Sequence, residues 1–447
     1  MNMRIRILLG IAVIVLAALG IGVWIIRGPG PLDFSAGSRV ALADYHDAKP
    51  SGVPEKLARA SLVERGEYLT KAADCMVCHT TAGGKEYAGG LGFQLPFGTL
   101  YSTNITPDKE TGIGDYSDRD FLNALHRGVR RDGAGLYAAM PFTSYASMTD
   151  DDALAIKAYL FSLPPVKAVP PQNKLVFPFN QRWTLMFWSA VFNRDARFAP
   201  DTSQSPAWNR GAYLAEALAH CGECHTPRNL AFALDNRNKF AGAVAAGWRA
   251  FNITSDKATG IGAWSDDDLV AYLSLGHANG HGTASGPMGE AVDHSFSQMA
   301  PEDIRALVAF LRSVPGLTST DLPATPAPAA PAGHKDGVTA DARGKTVFEG
   351  ACVSCHGWSG QSPVSPMATL TGAWAVNDPG GTNVAQIVLS GTHRLTPDGV
   401  LSMPAFGNAY TDDEVAAVTN YVTARFGGKG SKLTAADIAS LRQQTAQ

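Results

Sequence analysis

Cys75-Met76-Val77-Cys78-His79 sets two thiols three residues apart with an imidazole directly after the second, and the arrangement returns as Cys221-Gly222-Glu223-Cys224-His225 and Cys352-Val353-Ser354-Cys355-His356. Two such thiols can bond the two vinyl groups of a porphyrin while the adjacent imidazole falls beneath the iron, so C-x-x-C-H attaches haem c and supplies its proximal ligand together. One isolated copy could instead be a thioredoxin-like redox pair or half of a zinc site. Three copies use all 6 cysteines of the chain. The expectation is three covalently bound haems c, held by Cys75, Cys78, Cys221, Cys224, Cys352 and Cys355, with His79, His225 and His356 on the irons.

The opposite axial position separates an electron carrier from an enzyme. A methionine thioether is soft, favours reduced iron and raises the potential. Met140 in Ala139-Met140-Pro141-Phe142, Met288 in Gly286-Pro287-Met288-Gly289 and Met403 in Ser402-Met403-Pro404-Ala405-Phe406 follow the three motifs in turn. Each stands beside a proline, whose fixed φ and missing N–H can hold a loop extended while the sulfur points at a metal. The plainer alternative is a methionine that packs, and Met148 and Met299 are weaker rivals at helix starts. His126, His277 and His393 fall ten to fourteen residues before the chosen methionines and would give bis-histidine ligation; otherwise they are helix-end polar groups or propionate partners. His281 and His294 are alternatives for the second haem alone, and His220 is a local structural residue. Arg228, in Cys224-His225-Thr226-Pro227-Arg228-Asn229, is by charge a propionate partner or else a surface arginine.

These residues need elements to hold them. Arg65-Gly66, Arg210-Gly211 and Arg343-Gly344 recur at nearly the same distance before each first cysteine, arguing for duplicated units that open on a helix, the first over residues 64–74. Glycine there suits close backbone approach at a helix crossing. Residues 104–114 and 252–262 repeat Asn-Ile-Thr and Thr-Gly-Ile-Gly, either covering a haem edge with Asn and Thr on a propionate or forming a turn-rich loop without haem contact. The third unit lacks this block, so its haem is more exposed or covered by another subunit. Capped helices follow at Ser117 and Ser265, and each unit closes on a helix starting near Thr149, Ala300-Pro301 or Thr411. Residues 164–207 hold Phe177, Phe179, Trp183, Phe187, Trp188 and Phe192, too aromatic for a plain linker. They either fix two haem domains together or dock a partner subunit or the membrane interface. Residues 317–340, Pro/Ala-rich over 322–331, read as a semi-rigid spacer that tethers the third domain, and 428–447 as a polar tail.

Residues 7–26 carry no charged or strongly polar group, follow Arg4 and Arg6, and end at Trp24 and Arg27. That length crosses a bilayer as a helix, and no A-x-A-like cleavage site follows, so an uncleaved anchor with a periplasmic remainder is expected over a cleaved signal. The 447 residues, 45% hydrophobic and 17% charged with 46 Gly and 27 Pro, describe about three globular, loop-rich domains, and a net charge of -3 argues against nucleic acid as a partner.

With three C-x-x-C-H units, the repeated Asn-Ile-Thr loops, Cys-His-Thr-Pro-Arg-Asn, Gly-Pro-Met and Met-Pro-Ala-Phe, residues 63–427 closely resemble the three-haem cytochrome c subunits of bacterial membrane-bound dehydrogenases. The resemblance implies a mostly α fold of three tandem cytochrome c domains (63–163, 208–316 and 341–427) behind an N-terminal transmembrane helix. It implies a separate catalytic large subunit, a quinoprotein, flavoprotein or molybdenum enzyme oxidising an alcohol, aldehyde, sugar or sugar acid, with or without a small subunit. Electrons would then pass to ubiquinone or a terminal oxidase at the periplasmic face of the bacterial cytoplasmic membrane. It also supports Met140, Met288 and Met403 as distal ligands. The N-terminal anchor departs from the cleaved signal of many members, leaving the dehydrogenase class open among aldehyde, alcohol and gluconate types. The competing classes are a multihaem peroxidase-like enzyme with one open iron and a free-standing electron shuttle.

Overall fold

The computed structural model describes residues 3–319, 342–396 and 399–445, so the Pro/Ala-rich stretch at 322–331 lies outside the described residues. Helices dominate. After α1 (Met3–Arg27), the first unit contains α2 (Leu62–Ala72), α3 (Asp118–Arg127) and α4 (Asp150–Ser162), and α5 (Leu185–Phe192) lies between units. The second unit contains α6 (Pro206–Tyr213), α7 (Asp266–Leu275), α8 (Gly286–His294) and α9 (Pro301–Ser313). The third holds α10 (Ala342–Ala351), α11 (Thr382–Ser390) and α12 (Asp412–Phe426), followed by α13 (Ala435–Thr445).

Side-chain caps set the starts. Ser117 with Asp120, Ser265 with Asp268 and Thr411 with Glu414 form reciprocal capping boxes. α2 begins two residues before the expected 64 because Ser61 and Glu64 close another such box. Gly128 and Gly276 terminate α3 and α7 in the left-handed conformation, at φ 62° and 72°.

In each unit the opening helix crosses the closing one, α2 on α4, α6 on α9 and α10 on α12. The recurring glycine sits at each crossing. A Cβ on Gly66, Gly211 or Gly344 would strike the carbonyl of Ala155, Ala306 or Ala417 and lie 2.9, 2.8 or 2.8 Å from the Cβ of Tyr159, Phe310 or Tyr421. The expected close backbone approach is therefore present three times.

The first two units share one hydrophobic core, to which Leu32, Phe34, Val53 and Leu57 of the segment after α1 contribute. Their junction is reciprocal. Tyr68 on α2 donates to Asp303 Oδ2 at the start of α9 and accepts from Ala300 N, while Tyr213 on α6 donates to Asp152 Oδ2 at the start of α4 and accepts from Thr149 N. Arg210 adds a bidentate pair to Asp303, at 2.8 and 2.6 Å. The third unit has Thr346 where the others have tyrosine, and a separate core.

That third unit is docked as well as tethered, which corrects the sequence expectation. Arg394, 2% exposed on β4 (Thr392–Thr396), inserts into the second unit, donating to Gly289 O at 2.6 Å and pairing with Asp293 at 3.0 Å. Asn383 exchanges two hydrogen bonds with the Arg249 backbone, and Trp374 N donates to His281 O. α13 is likewise more than a polar tail, since Ile438 and Leu441 enter the third core. Among the described residues no helix is long and apolar enough to cross a membrane; several side chains in the first turns of α1 are not among them.

Candidate functional site

The opening helices deliver the motifs. Arg65, Arg210 and Arg343 stand 10, 11 and 9 residues before their first cysteines. The extra residue of the second unit is absorbed by a π-helical turn over Leu214–Leu218, and both longer units reverse through a left-handed residue just before the cysteine, Asp74 at φ 53° and His220 at φ 38°. The third, with the shortest run, has no left-handed residue there. Within the π-helical turn the buried carboxylate of Glu216 pairs with Lys239 at 2.9 Å.

Each motif then forms a short helical turn, Cys75–His79, Gly222–His225 and Val353–His356. The three imidazoles are held alike. Nδ1 meets a backbone carbonyl in each case: Thr103 O at 2.7 Å for His79, Phe251 O at 2.6 Å for His225 and Ala368 O at 2.6 Å for His356. A carbonyl accepts, so Nδ1 carries the proton and Nε2 presents its lone pair outward. Burial lowers the pKa of all three, outweighing the carbonyl contact that raises it, and keeps the rings neutral. Burial also raises the thiols of Cys75, Cys78 and Cys221 to about 12 and those of Cys224 and Cys352 to about 11, and none of the six cysteines forms a disulfide. No three or more Cys, His, Asp or Glu side chains among the described residues converge as an ion cage. This donor set, two free thiols and one oriented imidazole, fits a covalently attached haem rather than a four-coordinate zinc.

The accepting carbonyls were not visible from the motifs. Thr103 and Phe251 immediately precede the repeated Asn-Ile-Thr blocks. Asn104 Oδ1 accepts from Thr106 N and Oγ1 while its Nδ2 donates to Val166 O at 2.7 Å; Asn252 does the same with Thr254 and Leu317 O at 2.6 Å. Both amides are buried and fully engaged within the protein. The block therefore locks the carbonyl that orients the proximal imidazole, rather than offering Asn and Thr to a propionate. Ala368 belongs to an unrelated loop, which is why the third unit manages without the block.

Met140 lies in a turn, its N bonded to Tyr137 O and its O to Phe142 N. Met403 ends β5 (Gly399–Met403), paired with Thr392 and extended before Pro404 as expected. Met288 instead stands in the first turn of α8, where Pro287 starts a helix rather than holding a loop open. All three keep accessible surface, while Met148 and Met299 are buried in the common core. Among the rivals, His277 is engaged at both nitrogens by Thr283 Oγ1 and Asn279 Oδ1, and His393 Nδ1 by Ser402 Oγ. His281 stacks on Trp264 at 3.8 Å and His220 meets Tyr145 edge-on. Arg228 donates to Glu223 Oε2 at 2.6 Å and to the Phe232 carbonyl. Glu223 in turn accepts from Ser144 Oγ at 2.8 Å, joining the second motif to the first unit.

The cytochrome c family model matches residues 63–164 and 342–425. The chain is 38% identical over 412 residues to the gluconate 2-dehydrogenase cytochrome c subunit of Pantoea cypripedii, covering 86% of this chain and 90% of that one. It is 37% identical to the fructose dehydrogenase cytochrome subunit of Gluconobacter japonicus, over 88% and 85% of the two chains. It is 36% identical to the cytochrome c subunit of a quinone alcohol dehydrogenase of Gluconobacter oxydans, over 86% and 83%.

Proposed function

Because this chain belongs to the family of cytochrome c subunits of membrane-bound dehydrogenases, we propose that it carries electrons from a separate catalytic subunit to ubiquinone or a terminal oxidase through three haems c. The observation that supports this best is the threefold recurrence of one donor set, a pair of free thiols beside an imidazole whose Nδ1 is tied to a carbonyl. When bound, haem supplies a one-electron centre whose potential follows its axial ligands. The protein's part is to fix it: Cys75 and Cys78, Cys221 and Cys224, Cys352 and Cys355 hold the ring edges, and His79, His225 and His356 offer Nε2. Met140, Met288 and Met403 are the distal donors in this reading. The relatives' names point to a sugar, sugar acid or alcohol as the donor oxidised by the catalytic subunit.

We place the complex on the membrane through α1. Counted together with the first-turn side chains that lie outside the described residues, its 25 residues extend about 37 Å at 1.5 Å per residue, against a hydrocarbon core of about 30 Å. Residues 7–26 hold no charge, and described side chains such as Ile14, Leu16 and Trp24 are exposed all round the helix, which water would not tolerate but lipid would.

Purification from detergent-solubilised membranes tests the reading. The expected result is a polypeptide whose mass carries three porphyrins, copurifying with a dehydrogenase subunit. Fewer than three, or a chain that purifies alone from the soluble fraction, would contradict it.

A further inference from the structure

The aromatic segment between the first two units does not disappear into their shared core. Phe177 is 78% exposed, Trp183 65%, Met186 64% and Phe187 59%, and farther along the chain Leu230 is fully exposed, two residues before half-exposed Phe232. This face is built rather than frayed. Phe97, on the turn between β1 (Gly92–Leu95) and β2 (Gly98–Tyr101), stacks on Phe179 at 4.3 Å and meets Phe232 edge-on at 5.1 Å, and Trp188 Nε1 donates to Ala231 O at 2.7 Å. Within residues 176–187 the one charge is Arg182, which turns inward to Gly135 O at 2.8 Å and lies over the Tyr137 ring.

The face is continuous with the end of α1. α5 packs against α1, Asn229 Nδ2 approaches Ile26 O at 3.5 Å, and Arg237 donates to Ile25 O. Asn236 and Arg194 then hold Pro29 O at 3.1 Å and Gly28 O at 2.9 Å. The residue before Leu230 thus touches the backbone of the last apolar residue of the run, which sets Leu230 at the level where α1 leaves the hydrocarbon. A cluster of exposed Phe, Trp and Met larger than scattered single residues marks a surface that something apolar covers. An aromatic apolar surface with Trp183 exposed on it and Arg194 and Arg237 at the end of α1 suits the boundary between acyl chains and headgroups.

We propose that residues 176–187 and 230–232 seat in the outer lipid leaflet beside α1, so that the second motif, which leads directly into Leu230, lies against the bilayer. The proposal rests on α1 being the anchor, and the test reads the two separately. The full-length holoprotein is reconstituted in phosphatidylcholine/phosphatidylglycerol vesicles containing a phospholipid with a diazirine near its acyl terminus, irradiated, and its adducts mapped by mass spectrometry. Adducts are expected on α1 and on residues 176–187 and 230–232, with none on α13. In a Trp183→Asp, Phe187→Asp variant with unchanged haem content, labelling of the face should fall to the α13 level while that of α1 persists. Labelled α1 with an unlabelled face overturns the proposal and leaves the anchor standing; an unlabelled α1 removes the anchor itself. Labelling of the isolated chain that vanishes from the face when the copurified dehydrogenase is bound assigns the surface to a protein partner and likewise overturns it.

Discussion

At the scale of residues, the proximal side of each site is determined by one proton. The carbonyls of Thr103, Phe251 and Ala368 hold it on Nδ1, and that is what frees Nε2. The spacing of the cysteines and histidines is written in the sequence; the carbonyls that hold the imidazoles are not, because a backbone oxygen has no letter there. On the distal side, Met403→Ala is expected to leave three haems attached, since the thiols are untouched, but to change the optical spectrum and stop electron flow through the third unit. Unchanged turnover with an unchanged spectrum would remove Met403 from the site. His126 shows the opposite economy of protons. It is 2% exposed with Nε2 unpartnered, and burial depresses its pKa to about 4, with Arg197 adding to the shift and Asp150 and Asp195 opposing it. A histidine held neutral contributes stability that is intact above its unfolded value of about 6.5 and is lost as pH falls toward 4, because the unfolded chain binds the proton first. His126→Gln should flatten that part of the stability–pH curve measured by denaturant unfolding; a curve parallel to the parent's between pH 6.5 and 4 would show that His126 does not titrate in this way.

At the scale of elements, helix α10 offers a paired experiment in one stretch of chain. Replacing Gly344 with alanine gains about 1 kcal/mol of helix propensity but drives a Cβ into the carbonyl of Ala417 and against Tyr421 Cβ at 2.8 Å. Overpacking of this kind costs about 1–3 kcal/mol, and a backbone carbonyl cannot rotate away as a side-chain tip can, so the net change should be destabilising. A methyl added at Gly350 in the same helix would meet nothing within 4 Å, and alanine there should stabilise by up to about 1 kcal/mol. Thermal unfolding of the two holoproteins should therefore shift in opposite directions, and a shared direction would refute the crossing argument. The Arg-Gly repeat made these crossings readable in advance. The π-helical turn at Leu214–Leu218 was readable only in part: its trace is a single extra residue before Cys221, which spacing records but periodicity does not interpret. The first turn of α8 misled for a related reason, since Gly-Pro-Met suits a strained loop as well as a helix whose first position tolerates proline.

At the scale of the whole molecule, the first two units share one core and the third keeps its own, and the difference has a chemical cause. Tyr68 and Tyr213 exchange equivalent bonds across the first junction, whereas Thr346 in the corresponding place is too short to do so. The third unit docks instead through Trp374, which packs on Phe251 and Trp264, and through scattered polar contacts, and residues scattered in this way make no pattern, which is why this interface was not legible. Arg394 is buried within it. The hairpin of β4 and β5 carries Arg394 into the second unit and Met403 at its far end, so docking and the candidate distal ligand share one support. Removing one member of a buried ion pair leaves the other charged and unpaired, at a cost of about 3–5 kcal/mol, while replacing both by apolar residues is often neutral. Arg394→Met should therefore loosen the third unit, seen as faster proteolysis of the linker and slower electron transfer between the second and third haems, with each unit's own spectrum retained. Adding Asp293→Leu should restore most of the docking, because the stranded carboxylate is then gone. If the single variant leaves proteolysis and electron transfer as they were, Arg394 is filling space rather than fixing the third unit. If the double variant fares worse than the single, the Gly289 carbonyl contact outweighs the charge pair.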